Sequence, residues 1–119
     1  IQYLHVSQQN FIHAGRRGAD TSKSRMELIH EAVAGRTAVI GAGELVNGAD
    51  FERAVSSGWT EFAAAGQSFM LNPDLARLVR EGRDDLIDRF RDESKNDSYH
   101  LHKVLCPWVP DKDGPAKLP

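Results

Sequence analysis

Short apolar runs alternate with amphipathic stretches along most of this chain. The apolar runs have the length and the β-forming side chains of strands, and they occupy residues 2–6, 37–41 and 60–66. The amphipathic stretches place apolar side chains three and four positions apart, as on a helix face, and they occupy residues 22–35, 47–58 and 72–82. The pattern predicts three strand–helix units and a parallel sheet, because strands that alternate with helices pair in that way.

Polar residues and glycines mark the expected ends of these helices. Ser24, followed three residues later by Glu27, fits a capping box at the start of the first helix. Asn47 and Asn72 are expected to cap the second and third helices, with Pro73 at the first position of the third. A glycine follows each helix as its C-terminal stop, at positions 35, 58 and 82.

The sequence changes character near its end. The stretch RDDLIDRFRDE, residues 83–93, predicts a fourth amphipathic helix with a salt-bridged, solvent-facing surface. Beyond it the chain becomes polar and rich in proline, without helical or strand periodicity. We therefore expect two regions: α/β units over residues 1–93 and an irregular arm over residues 94–119.

Three parallel strands do not complete a fold. A doubly wound open sheet and a β/α barrel both need more strands, and an isolated three-stranded sheet leaves two unpaired edges. The first residue is Ile1, and the first predicted strand begins immediately after it. We expect a piece of a larger fold, which pairs either with further chain or with another copy of itself as a homo-oligomer.

Composition and charge narrow the classes of partner. The formal net charge is -2 and no block of basic residues stands out, so nucleic acid and anionic membranes are poor candidates. No apolar run approaches the ~20 residues of a membrane span. Cys106 is the single cysteine, which excludes an internal disulfide and fits a cytoplasmic location.

Glycines stand at the expected carboxyl ends of the second and third strands. These strands end IGAGEL and AAAGQSF. Glycine lets a ligand approach the backbone closely, so the N–H groups of Gly43, Glu44, Gly66 and Gln67 are candidates for an anion cradle. Residues 67–71 fit the short extra helix that often accompanies a phosphate site in a barrel. The alternative is that these glycines only serve tight turns.

Three segments resemble a known family. YLHVS, AVIGAGELVNGADFERAVSSG and FAAAGQSFMLNPDLARLVREG are similar, in order and spacing, to the C-terminal part of the old yellow enzyme family. The likeness covers roughly residues 2 to 92, and RRGADTSKSRMELI resembles a subgroup from Gram-positive bacteria. It implies the last three β/α units of a (β/α)8 TIM barrel, present here as a fragment, in an FMN-dependent NADH or NADPH oxidoreductase or ene-reductase.

The resemblance also assigns the candidate cofactor residues. Gly43 and Glu44 would offer backbone N–H groups to the FMN phosphate, and Gly66 and the residue after it would do the same from the last strand. The family commonly has arginine at that next position, whereas this chain has Gln67. Arg16 and Arg17 lie on the long loop between residues 7 and 23. They either supply the positive charge that Gln67 lacks or form a solvated basic loop.

Ser7 and Gln8 follow the first strand, at the end where barrel active sites lie, and are candidates to line a ligand. His5, inside that strand, is expected at the rim or in packing rather than in catalysis.

His100 and His102 make at most a weak metal pair, because zinc needs about four ligands. We expect no nucleophile at Cys106, a packing role for Trp59, and a covering role on a neighbouring subunit for Trp108.

The function implied by the resemblance is two-step flavin chemistry. NAD(P)H reduces FMN, and the reduced flavin reduces a small electron-poor acceptor. The family's catalytic His/Asn or His/His pair and its Tyr belong to earlier strands, so we assign no catalytic residue here and expect the isolated chain to be inactive. The alternatives are a phosphate-binding barrel of another class, such as an aldolase or isomerase, and a non-catalytic, self-associating fragment.

Overall fold

The computed structural model describes residues 1–14 and 21–100, together with residues 105, 109 and 111. The chain divides into two compact units, Ile1–Ala65 and Gly66–Pro119. The first unit contains the sheet and two helices, and the second contains short helices and turns. The sequence predicted a different division, into α/β units over residues 1–93 and an irregular arm over residues 94–119. That division describes the larger fold from which the chain is expected to come, and it stays a prediction.

A parallel sheet organises the first unit. Its strands are β1 (Tyr3–Ser7), β2 (Ala38–Ala42) and β3 (Phe62–Ala64), in the order β1-β2-β3. Ala42 pairs with Ser7 on one side and with Ala64 on the other. The predicted α/β class with a parallel sheet is therefore confirmed, and the carboxyl ends of all three strands lie at one edge.

Both helices of the first unit, α1 (Arg25–Val33) and α2 (Gly48–Ser56), contribute to a single core. Met26 from α1 and Ala54 from α2 are fully buried with Val39 of β2. Val6 and Ala63 pack against the same cluster, so the helices cover the face of the sheet that these residues share. The remaining members of the core cluster are Phe11 and Leu45.

Neither helix of the first unit covers the opposite face of the sheet, which we call the open face. Tyr3 and Phe62 lie on it and are 56% and 59% exposed. Burial along β2 alternates between buried Val39 and Gly41 and half-buried Ala38, Ile40 and Ala42. The second strand is apolar throughout, which predicts burial on both faces, but in the structure it is fully buried only on the helix side.

The predicted capping residues of α1 and α2 are confirmed. Ser24 Oγ accepts a hydrogen bond from the Glu27 backbone N–H at 3.0 Å. Asn47 Oδ1 accepts from the Asp50 N–H at 3.0 Å, and Asp50 Oδ2 accepts in return from the Asn47 N–H at 3.3 Å. Positive φ angles at all three predicted glycine stops also agree: 69° at Gly35, 75° at Gly58 and 67° at Gly82.

The second unit begins with α3 (Gln67–Leu71) and α4 (Leu75–Arg80). The short helix expected over residues 67–71 is therefore present. Among the described residues of both units, no helix is long and apolar enough to cross a membrane.

The fourth helix predicted over residues 83–93 is wrong. The structure has only a 3₁₀ turn at Asp84–Leu86, and a second such turn at Glu93–Lys95. Of the three apolar residues in this stretch, Leu86 and Phe90 are 51% and 46% exposed, and Ile87 is half-buried. A short helix draws most of its stability from packing an apolar face, and this segment buries too little for that.

The predicted capping role of Asn72 is also wrong. Asp74, not Asn72, precedes α4, and it makes no side-chain cap bond. Asn72 is only 4% exposed. Its Nδ2 donates to the Ser68 and Asp88 carbonyl oxygens at 2.9 Å each, and its Oδ1 accepts from the Asp88 N–H at 2.8 Å. Asn72 therefore ties the end of α3 to a segment 16 residues later in the chain.

Asn72→Ser tests this role, because serine retains a capping oxygen but is too short to reach Asp88. We expect a loss of roughly 1–3 kcal/mol of stability, the cost of leaving buried backbone groups unpaired. Urea unfolding measures this loss, and hydrogen exchange at the Asp88 amide locates it. Pro73→Ala, at the exposed neighbouring position, is the control. An Asn72→Ser variant with unchanged stability and Asp88 protection would show that Asn72 is only a cap.

Candidate functional site

The loop after β1 crosses the carboxyl end of β2. The Gln8 N–H donates to the Ala42 carbonyl oxygen at 3.0 Å, and the Phe11 N–H donates to the Gly43 carbonyl oxygen at 3.1 Å. Phe11 then enters the core, where its ring stacks on Trp59 with the centroids 6.1 Å apart. The expected packing role of Trp59 is confirmed, and the end of β2 is partly covered by this chain's own backbone.

Gly43 is buried beneath that loop. A Cβ added at Gly43 would lie 2.6 Å from the Phe11 backbone nitrogen and 2.9 Å from the Asn10 carbonyl carbon. Such distances are too short for any real side chain, and backbone atoms cannot move aside as a flexible side chain can. The close approach of Gln8–Phe11 therefore already requires glycine at this position, whether or not a ligand binds there.

Glu44 places a carboxylate at the same strand end. Its φ is +52°, in the left-handed region, and its side chain is exposed. Glu44 Oε2 accepts a hydrogen bond from Asn10 Nδ2 at 2.6 Å. Because this partner is a neutral amide, it leaves the negative charge of Glu44 in place near the backbone N–H groups predicted to bind an anion.

Gly66 and Gln67 belong to the second unit and are both exposed. Gly66 has a φ of -94°, which any residue adopts, and no described atom lies within 4 Å of a Cβ added there. Neither backbone strain nor crowding among the described residues therefore explains the glycine. Gln67 is the first residue of α3.

The residues of β1 and its end have more ordinary roles. Ser7 is exposed at the last position of β1, on the side of the sheet that the helices leave open. Gln8 Nε2 donates to the Phe11 carbonyl oxygen at 3.2 Å, which helps to hold the loop. His5 is exposed in the middle of the strand, so it does not have the core-packing role that was one of its two predicted positions.

A polar cavity that sequence reasoning missed lies beside β1. We name it the β1-end cavity: a space of about 280 Å³ lined by Gln8, Gln9, Asn10, His13, Ala14 and Arg25. The sequence marked Gln8 as a candidate to line a ligand and residues 7–23 as a long loop, a kind of segment that is often functional. No spacing rule connects His13 in that loop with Arg25 at the start of α1, because the loop's path between them depends on the tertiary fold.

Displaced pKa values occur on the surface of the second unit. The Arg83 guanidinium, through a hydrogen bond, lowers the pKa of the Asp85 carboxyl group. A hydrogen bond to Asp88 raises the pKa of the Lys95 ammonium group. These are solvent-exposed ion pairs, which contribute little to stability, so they do not mark a catalytic site. The Arg83–Asp85 pair confirms that residues 83–93 include a salt-bridged surface.

Several candidate residues fall on parts of the chain outside the described ranges. These are Arg16, Arg17, His102, Cys106 and Trp108. Among the residues that are described, no group of three or more His, Cys, Asp or Glu side chains is arranged to hold a metal ion.

The chain is similar to a curated bacterial protein. The chain is 31% identical over 120 residues to the probable NADH-dependent flavin oxidoreductase YqiG of Bacillus subtilis (strain 168). The chain resembles part of a bacterial flavin oxidoreductase. This match confirms the likeness to a flavin oxidoreductase that the three sequence segments predicted. No family model matches the chain.

The match extends over nearly all of this chain but only part of the relative. It covers 95% of the chain and 32% of the length of the B. subtilis protein. The chain therefore spans about a third of the curated relative that it matches.

Gly43→Ala and Gly66→Ala separate the two glycines experimentally. We expect Gly43→Ala to cost roughly 1–3 kcal/mol of stability through overpacking against the loop backbone. Gly66→Ala should stay within about 0.5 kcal/mol of the parent chain, because its Cβ meets open space. Thermal and urea unfolding of both variants, made in the same chain, give the comparison. Equal destabilisation of the two would contradict the packing explanation for Gly43.

Proposed function

We propose that this chain is part of an FMN-dependent NAD(P)H oxidoreductase or ene-reductase of the old yellow enzyme type. In this proposal it supplies the phosphate-binding end of the flavin site and one wall of a TIM barrel. The observation that carries the proposal is the 31% identity over 120 residues to a probable NADH-dependent flavin oxidoreductase. The prediction of a cytoplasmic location rests on the single cysteine alone.

The arrangement of the sheet supports the barrel part of the proposal. In a doubly wound sheet, helices cover both faces, whereas in a barrel the helices form an outer ring and one face turns inward. Here α1 and α2 share one core on one face, and the strands follow one another in sequence order. The open face carries Tyr3, Phe62 and half-buried Ile40, which suit an interior completed by further strands.

The register of the strands supports the phosphate part. Ala42 and Ala64 are paired neighbours, so the backbones of β2 and β3 end side by side at the edge where barrel enzymes bind their ligands. Gly43 and Glu44 follow β2 directly. We include Gly66 and Gln67 in the phosphate site for two reasons. The sequence resemblance implies that role, and the two residues follow the end of β3 by two and three positions. Gly66 gives added support, because its local packing does not require glycine.

Hydride transfer in such an enzyme is the chemistry of the bound flavin. The contribution of this chain is to bind and orient: backbone N–H groups hold the phosphate, and the strand ends fix its position. The carboxylate of Glu44 repels an anion, and Gln67 supplies no positive charge to offset this repulsion. Phosphate binding then depends on the backbone groups, which makes their geometry decisive.

A chimera tests the proposal. In it, this chain replaces the matching segment of the B. subtilis relative, which supplies the rest of the protein. We expect the purified chimera to carry a visible flavin spectrum, to release FMN on denaturation and to oxidise NADH. The isolated 119-residue chain should show no NADH oxidation, because we place the catalytic residues elsewhere.

Two controls make the result interpretable: the unmodified relative, and circular dichroism to verify that the chimera is folded. A folded chimera without flavin, beside a relative that retains it, would contradict the proposal. If such a chimera instead bound sugar phosphates, a phosphate-binding barrel of another class would be favoured.

Gln67→Arg in the same chimera tests the phosphate contact. An arginine fork adds a charge-assisted hydrogen bond, for which we expect roughly 1–3 kcal/mol, or about one to two decades in the FMN dissociation constant. Fluorescence titration of the apo-protein with FMN measures the change. Arg80→Gln, a change of charge elsewhere in the second unit, is the control. Unchanged FMN affinity in Gln67→Arg would show that this position does not face the phosphate.

A further inference from the structure

The β1-end cavity brings two nitrogen-rich side chains together on walls that the backbone fixes. The Arg25 N–H, at the first residue of α1, donates to the His13 carbonyl oxygen at 3.1 Å. Ala14 and Ser24 form an isolated antiparallel bridge beside that bond. The loop carrying His13 and the helix carrying Arg25 are therefore joined through their main chains, and this bond uses neither side chain. Both residues line the cavity.

Arg25 differs from the other described cations in being half-buried without a carboxylate partner. Among the described residues, Arg80 and Arg89 also make no ion pair, but both are exposed. The ion pairs among the described residues use Lys23, Arg53, Arg77, Arg83, Arg91 and Lys95. Arg36 instead donates to the carbonyl oxygens of Ala32 and Val33. Arg25 is half-buried, and no carboxylate in the described part of the chain pairs with it. A guanidinium of this kind favours an anionic partner with two oxygens, because its N–H groups form a planar fork.

The rest of the lining is neutral and largely held in place. Asn10 Oδ1 accepts from the Ile12 N–H at 3.1 Å, and its Nδ2 is taken by Glu44. Gln8 is fixed by its bond to the Phe11 carbonyl oxygen. The nearby carboxylate of Glu44 contacts Asn10 and is not itself part of the lining. The cavity thus offers one permanent cation, an imidazole and several amides, in a largely preorganised frame.

We propose that the β1-end cavity binds the oxyanion group, carboxylate or phosphate, of a small molecule. Arg25 is the main charged contact, and His13 adds a ring N–H donor. About 280 Å³ lies just below the usual range for small-molecule sites, roughly 300–1,000 Å³, which suits a small anion or the anionic end of a larger one. On the proposed function, the cavity lies at the active-site edge of the barrel, so the oxyanion would belong to a substrate.

Titration of the 119-residue chain with inorganic phosphate, and separately with acetate, tests the site by NMR at constant ionic strength. We expect saturable shifts at the His13 and Arg25 signals with at least one of the two anions. Saturation by phosphate alone assigns a phosphate site, and saturation by acetate assigns a carboxylate site. Arg25→Gln should weaken binding roughly tenfold or more, since a charged hydrogen-bond partner is lost while the backbone bond to His13 remains.

Arg80→Gln is the matched control, because it removes the same charge from an exposed position in the other unit. His13→Gln, at an exposed position, is a second variant that leaves the core intact, and it should weaken binding less than Arg25→Gln. Unchanged core signals from Met26 verify folding. No saturable shift with either anion, equal affinity in Arg25→Gln, or an equal loss in Arg80→Gln would overturn the proposal. Because the titration needs neither flavin nor NADH, its outcome is independent of the proposed flavin chemistry.

Discussion

The parallel pairing of β2 with both of its neighbours is the constraint on which the first unit depends. Because Ala42 pairs with Ser7 and with Ala64, all three strands end at one edge. The same pairing places alternate side chains on opposite faces, so that Val39 enters the core beneath α1 and α2 while Phe62 is exposed. The candidate ligand edge and the open face that suits a barrel interior both follow from this single register.

The strand ends serve the protein's own packing as well as any ligand. The loop after β1 bonds to the end of β2 and sends Phe11 into the core, and this path requires glycine at position 43. The same loop carries His13 to the β1-end cavity. A glycine at a strand end is therefore ambiguous evidence for a ligand until the nearest atoms are known. Gly66 is the stronger indication of a ligand, because no described atom lies within 4 Å of a Cβ added there.

Sequence reasoning succeeded where the controlling interaction is local. The Ser24 and Asn47 caps involve residues three apart, and both caps appear as predicted. The reciprocal bond of a capping box, predicted for Ser24 and Glu27, is found instead between Asn47 and Asp50. It failed where the partner is distant. Asn72 bonds to Asp88, 16 residues away, rather than capping the start of the next helix. Residues 83–93 have a helical pattern but bury too little apolar surface to form a helix. The partners of Gly43 and Arg25 likewise depend on the path of the loop, which no local pattern specifies.

In the proposed function, backbone groups at the ends of β2 and β3 recognise a phosphate. The most direct measurement compares the dissociation constants of FMN and riboflavin for apo-protein containing these strands in a complete barrel, since the two ligands differ only in the phosphate. A phosphate held by several N–H groups should make FMN bind at least roughly tenfold more tightly than riboflavin. Equal affinities would contradict the claim, because the flavin ring alone would then account for binding.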